Sequence, residues 1–222
     1  KHKQMKKRLV LSISLLILLT TITTQKKSII SSFNLEYINI ENNFLLEDKE
    51  IKKLLLPIYN KNLIFLNYEE IEKNLMQNDF IDSFKVKKRY PNSLRIEVFE
   101  KKPIAILQNK KKKYYISEKI DLIQFKSLQN FENLPFVIGN SEDFKIFYNN
   151  LGQINFPKKL IKKYIFYESN RWDLETTNKE IIKLPPTGYI KSLKNYLELK
   201  DKNDFKKYKI FDYRISNQVI LK

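Results

Sequence analysis

The most constraining stretch of this chain is residues 79–105, DFIDSFKVKKRYPNSLRIEVFEKKPIA. Two alternating runs flank one tight turn. Phe84, Val86 and Lys88 share one face of the first run, against Lys85, Lys87 and Arg89. Leu94, Ile96 and Val98 alternate with Arg95, Glu97 and Phe99 in the second. Period-two alternation of this length predicts half-buried β-strands. Tyr90-Pro91-Asn92-Ser93 predicts the turn, with proline presetting φ at the second position and asparagine tolerating the bend after it. The result is a β-hairpin with one face on a core and the other rich in lysine and arginine.

Composition narrows what can surround it. The chain has 222 residues, room for an anchor and one or two domains. Cysteine is absent, and His2 is the only histidine, which removes thiolate and imidazole chemistry from any folded site. None of the three glycines sits in a phosphate-cradling loop. The pairs Asp79/Asp82 and Asp201/Asp204 could be cast as general acid and base, but they lie in turn and helix-end settings where carboxylates are solvated. The chain is therefore expected to be no enzyme and to need no cofactor or metal. A net charge of +17 leaves three readings of the lysines: solvated surface, lipid-headgroup contact or nucleic acid. No zinc spacing or RNP-like aromatic motif supports the last, so no nucleic-acid partner is expected. The densest run, Lys110-Lys111-Lys112-Lys113, falls where a hairpin loop would lie.

Residues 1–8 form a basic tail with five cationic side chains, followed by the uncharged run 9–25, LVLSISLLILLTTITTQ. Seventeen residues is at the lower edge of a membrane span. A soluble helix would show a polar face, and a cleaved signal would end in an A-x-A-like site; the run has neither. It is expected to be a retained signal anchor, oriented with its N-terminus in the cytoplasm by the charge ahead of it. Residues 26–32 are then a linker.

Residues 33–40, FNLEYINI, predict a strand with Phe33, Leu35 and Tyr37 on one face and Asn34, Glu36 and Ile38 on the other. Residues 47–56 predict a helix with Ile51, Leu54 and Leu55 as its stripe, stopped by Pro57. Asn67 with Glu70 three residues on marks a second helix, ending near Asn78. The order is strand, helix, helix, strand, strand, a complete two-layer unit. Beyond Pro103 come short strands at 104–108, 113–117, 120–125 and 136–138, and a helix from Glu142 to about Asn150. Strands then follow at 160–169, 171–176 and 180–184, a helix capped by Thr187, and strands at 208–214 and 218–221. This predicts an α+β fold on a mainly antiparallel sheet, with Trp172 packed inside.

On these residues the chain resembles the FtsQ/DivIB family of cell-division proteins. The phrases F-N-L-E-Y-I-N-I, N-K-N-L-I-F-L-N, D-F-I-D-S-F-K-V-K-K-R-Y-P-N-S-L-R-I-E-V and E-K-K-P-I-A are similar to the family's POTRA domain. Leu134-Pro135-Phe136-Val137-Ile138-Gly139, Arg171-Trp172-Asp173-Leu174 with Ile182-Lys183-Leu184-Pro185, and Phe211-Asp212-Tyr213-Arg214 resemble the C-terminal β domain. The resemblance implies an N-terminal transmembrane helix, a βααββ POTRA domain at 33–102 and a β domain at 103–222. The departures are local. Asn42, Asn43 and Asn60 stand where the family often has glycine, Glu47 where it has a capping Ser or Thr, and Ser117-Glu118-Lys119-Ile120-Asp121 where it often has Asp-x-x-Gly. Asparagine tolerates left-handed backbone, so the asparagine turns are expected to form.

The last strand carries the functional expectation. Between Ile215 and Leu221 there is neither charge nor proline, the devices that blunt an exposed strand edge. It is either an interior strand or an edge open to strand addition. The resemblance implies the second: a scaffold that binds FtsB, with FtsL completing the trio, and helps recruit and regulate septal peptidoglycan synthesis. The residues it points to are Phe211, Tyr213, Arg214, Ile215, Ser216, Gln218, Val219 and Ile220. It also implies a single-pass inner-membrane protein at the division septum, with periplasmic C-terminal domains and no small-molecule substrate. The alternative is a POTRA protein of polypeptide transport or outer-membrane assembly, whose C-terminal barrel would need more residues than remain here.

Overall fold

The computed structural model describes residues 2–21, 32–109, 112–128, 131–215 and 217–222. The chain divides into two compact units, 1–100 and 101–222.

The first unit begins with α1 (His2–Thr21), which takes in the basic tail as well as the start of the uncharged run. Its apolar side chains from Val10 to Leu19 are 51–74% exposed on every face. The cations of the first turns leave thirteen uncharged helical residues, 9–21, about 20 Å at the α-helical rise. Among the described residues no helix is long and apolar enough to cross a membrane. The rest of the expected anchor, 22–25, and most of the linker, 26–31, lie outside the described residues.

Then follow β1 (Tyr37–Glu41), α2 (Asp48–Leu54), a 3-10 turn (Leu56–Ile58), α3 (Tyr68–Leu75), β2 (Ile81–Arg89) and β3 (Ser93–Glu100). The sheet order is β1-β3-β2, with β1 parallel and β2 antiparallel to β3. Phe84, Leu94, Ile96 and Val98 are buried together with Ile51, Leu55, Ile71 and Leu75 of the helices. The Asn67 cap forms as expected, its Oδ1 accepting from the Glu70 N–H at 3.0 Å. Asn42 and Asn60 adopt φ of 64° and 62°, the left-handed places where glycine is common. The Tyr90–Pro91 peptide bond of the hairpin turn is cis.

Three local expectations are corrected. Within 33–40, Leu35 is buried but Tyr37 is exposed, and Ile38 and Ile40 face the core. The N–H groups of both Glu36 and Tyr37 donate to the Asn92 carbonyl, so the strand loses one step of alternation before β1 begins. The first helix is shorter than residues 47–56, because Leu55 closes it with a bond to Lys52 O and Pro57 falls inside the 3-10 turn. The second ends at Leu75 rather than near Asn78.

The second unit contains β4 (Pro103–Asn109), β5 (Lys112–Ser117), β6 (Leu122–Gln124) and β7 (Phe136–Ile138), then α4 (Ser141–Gln153). It continues with β8 (Ile161–Tyr167), β9 (Arg171–Thr176), β10 (Ile181–Lys183), α5 (Tyr189–Lys200), β11 (Ile210–Asp212) and β12 (Ile220–Leu221). These make one sheet ordered β12-β11-β10-β9-β8-β7-β4-β5-β6. Its pairings are mainly antiparallel, the parallel ones being β4–β7, β7–β8 and β10–β11. Lys112 and Lys113 of the dense lysine run lie in β5, while 110 and 111 lie outside the described residues.

Helices α4 and α5 contribute Phe144, Phe147, Leu151, Leu193 and Tyr196 to the core that Leu174, Ile182 and Phe211 form on one face of the sheet. Trp172 is 5% exposed and stacks on Phe147 at 4.9 Å, a packing residue as expected. Gly139 is required by close approach: a Cβ there would lie 2.8 Å from the Phe166 Cβ. The 117–121 turn forms without glycine. Ser117 Oγ accepts from the N–H groups of Lys119 and Asp121, and Ile120 is held at φ 66°. Helix α5 is capped by Gly188 at φ 73°, correcting the expected Thr187 cap.

Candidate partner-binding edge

The C-terminal segment meets the sheet at its margin. β10 lies beside β11 in parallel register, Ile182 opposite Phe211. β12 folds back antiparallel, Phe211 opposite Leu221 and Asp212 opposite Ile220. The reversal is made at 215–218, where Gln218 N–H donates to Ile215 O at 3.3 Å and Asn217 takes φ 59°. β12 ends the strand order and is paired on one side only.

The ladder determines which backbone groups remain outward. Ile210 and Lys222 exchange both of their bonds, Ile210 N–H to Lys222 O at 2.9 Å and Lys222 N–H to Ile210 O at 3.1 Å. In an antiparallel pair the neighbouring residue points its N–H and C=O the other way. Leu221 therefore turns its N–H and C=O away from β11, as a template strand does.

Side chains of the expected site divide into three groups. Phe211 and Tyr213 are buried. Phe211 packs edge-on to Tyr196 at 5.0 Å, and Tyr213 Oη donates to Asn195 Oδ1 at 3.1 Å. They hold the edge in place rather than face outward. Arg214, Ile215, Gln218 and Ile220 are exposed, and Val219 is half-buried. Ser216 lies outside the described residues.

Arg214 is fixed by its neighbour. Its Nε and Nη2 both donate to the Asp212 carboxylate, at 2.9 and 2.6 Å, and its backbone N–H donates to Asp212 Oδ1 at 3.1 Å. Those Arg214 hydrogen bonds hold the Asp212 carboxyl below the usual carboxylate range. Two strands further in, burial pushes the Asp173 carboxyl up, against the pull of its partner Arg171. Cross-strand register sets Asp173, Lys183, Asp212 and Ile220 in one row on the face opposite the helices. On the helix side, a groove of about 380 Å³ runs between the start of α5 and the returning chain, lined by Gly188, Lys191, Asn195, Tyr213 and Gln218 among others.

The acidic partners Asp173 and Asp212 were not singled out from sequence. Their signal was the alternation in Arg171-Trp172-Asp173-Leu174 and Phe211-Asp212-Tyr213. The apolar members go to the core, so the acids must share the other face.

Residues 33–101 match the family model described as POTRA domain, FtsQ-type. The cell division protein FtsQ of Rickettsia bellii is 31% identical over 192 residues, covering 84% of this chain and 71% of that one. FtsQ of Rickettsia felis is 30% identical with the same coverage. The cell division protein DivIB of Clostridium acetobutylicum is 28% identical over 87 residues, 39% of this chain. With the βααββ unit, the β domain and identity running through both, the chain belongs to the FtsQ family of cell division proteins.

Proposed function

We propose that the chain is a non-catalytic, membrane-anchored scaffold of the division septum that holds an FtsB-like protein, with FtsL, by strand addition to β12. Through that pair it helps recruit and regulate septal peptidoglycan synthesis. The observation supporting this is the one-sided pairing of β12 with the outward N–H and C=O of Leu221. Main-chain bonds from an added strand would supply affinity. Side chains on its two faces would meet Ile220 and the Arg214–Asp212 pair on one side and the α5 groove on the other, which supplies specificity. Phe211 and Tyr213 keep the edge rigid, and Ile215, Gln218 and Val219 shape the approach to it. With no cysteine and His2 as the sole histidine, binding is the chemistry left to the site.

The anchor in this proposal is residues 9–25, the uncharged part of α1 and the residues that follow it to Gln25. Its support is the all-round exposure of apolar side chains in α1 and the basic residues ahead of them, which favour a cytoplasmic N-terminus and a periplasmic remainder.

The test is capture of the cell's FtsB-like protein by the full chain and by two variants. Leu221→Pro removes an outward N–H without touching a bond to β11. Ile220→Lys places a charge on the edge. Each is expected to weaken capture about fivefold, on the order of the 1 kcal/mol that one lost edge bond or one edge charge supplies. Undiminished capture by both variants, with circular dichroism unchanged, would refute strand addition at β12.

A further inference from the structure

We infer that the end of the first unit where the chain enters from α1 is a docking surface for anionic lipid headgroups. This rests on the anchored reading only for the tether; the surface itself is built from the unit's own residues. Three segments are fastened together there. Leu63 N–H donates to Phe33 O at 2.8 Å and Leu35 N–H to Lys61 O at 2.9 Å, tying the 62–66 loop to the chain entry. The hairpin turn joins them through the bonds of Glu36 and Tyr37 to Asn92 O and through Phe33 and Tyr90, whose rings meet edge-on at 6.1 Å. Lys88 Nζ donates to Ile64 O at 3.2 Å, so a cation from β2 lies against the loop.

This end combines two features that a headgroup layer selects. Phe65 is 79% exposed, with Ile64 and Tyr90 also exposed beside it. Lys61 and Lys88 lie on their side of the sheet, and Lys87 and Arg89 flank Lys88 along β2 with their side chains exposed on the other face. Glu70 at this end is paired with Lys61, and Glu36 accepts from Asn92 Nδ2. Lys87 and Arg89 form no ion pair among the described residues. Exposed aromatic groups flanked by lysine and arginine sit at the polar boundary of a bilayer, where anionic lipid adds electrostatic attraction.

The opposite end of the same sheet is an internal contrast. Phe44 there is 83% exposed, but Glu47, Asp48 and Glu100 lie beside it. The Glu100 carboxylate accepts from the N–H groups of Phe44, Leu45 and Leu46 at 2.7 to 3.0 Å. Carboxylates rather than cations lie nearest the exposed ring at that end. Chain length selects the same orientation: from Gln25, where the proposed anchor ends, to Ser32 there are seven peptide steps, at most about 25 Å fully extended. Tethering at this range lets individually weak contacts hold.

The chain lacks cysteine, so one engineered thiol can be labelled cleanly. Full chain carrying Phe65→Cys or Phe44→Cys, each bearing an environment-sensitive fluorophore, would be reconstituted with two kinds of vesicle. One is phosphatidylcholine alone; the other is equal parts of phosphatidylcholine and phosphatidylglycerol. The expected result is a blue shift and emission rise at position 65 on the anionic vesicles alone. Molar salt, which shortens the screening length to about 3 Å, should abolish it, as should combined Lys87→Gln, Lys88→Gln and Arg89→Gln. Position 44 should not respond. A chain that floats with vesicles while position 65 behaves like position 44 overturns the lipid surface and leaves the anchor standing. A response at 65 from a chain that floats only with the anionic vesicles and is released from them by molar salt overturns the anchor and leaves the surface standing. Equal response on both vesicle types overturns the role given to the cations.

Discussion

Two strand edges in this chain handle the same hazard in opposite ways. β2 borders its sheet for nine residues, a long template, and carries Lys85, Lys87 and Arg89 on one face and Lys88 on the other. Approach of a second strand would stack like charges and strip water from them. β12 is two residues long and carries Ile220 and Leu221, with Lys222 the first charge beyond them. It is kept short instead of charged, and its shortness limits casual pairing while leaving main-chain groups available. One edge is guarded by charge along its length, while the other leaves the main-chain groups of Leu221 outward beside uncharged neighbours.

The comparison is broken most severely by removing what holds the open edge. Trp172→Ala deletes a ring stacked on Phe147 and packed on Phe166, and should cost the second unit about 3–5 kcal/mol. Urea unfolding followed by amide exchange should then show residues 103–222 opening first, with protection in 81–100 unchanged. Loss of protection in both would mean that the two units share one cooperative core.

A second change inverts the closed edge. Lys85→Thr, Lys87→Val and Arg89→Thr together should leave monomer stability within about 0.5 kcal/mol, because these side chains are exposed. Self-association should rise, seen by sedimentation of the full chain in detergent micelles. A variant that remains monomeric would show that charge is not what protects β2.

The smallest effect sharpens the description of the open edge. Asp212→Asn removes the clamp on Arg214 and should cost about 1 kcal/mol at neutral pH, discounted because the guanidinium is half exposed. Asp212 titrates below its unfolded value, so the clamp's contribution is complete above about pH 4 and lost as pH falls through the lowered folded value. Asp173 works in the other sense: its raised value costs stability as pH climbs from the unfolded pKa through the folded one. The gap between wild type and Asp212→Asn in urea midpoint should therefore close in acid, while the Asp173 contribution cancels from the difference. A gap that persists unchanged in acid would show that the clamp's charge contributes nothing.

Local chemistry was legible wherever one residue or one period decided the outcome. Alternation located β2 and β3, Asn67 its helix start, and asparagines the left-handed turns, because each is settled within a few residues of itself. Gly188 rather than Thr187 caps α5, a choice between adjacent residues that composition alone does not make. The reversed face of Tyr37 is of another kind. It follows from two N–H groups sharing the carbonyl of Asn92, more than fifty residues away in the chain.

The same division holds for the candidate site. By itself the sequence determined that this chain would build a βααββ unit followed by a β domain, and that residues 215–221 would carry no charge. Only the tertiary structure decided that β12 is an edge, that Phe211 and Tyr213 are spent on the core, and that Asp212 holds Arg214. The reason is physical: alternation specifies two faces of a strand, but which neighbours lie on either side depends on pairings between segments far apart in sequence.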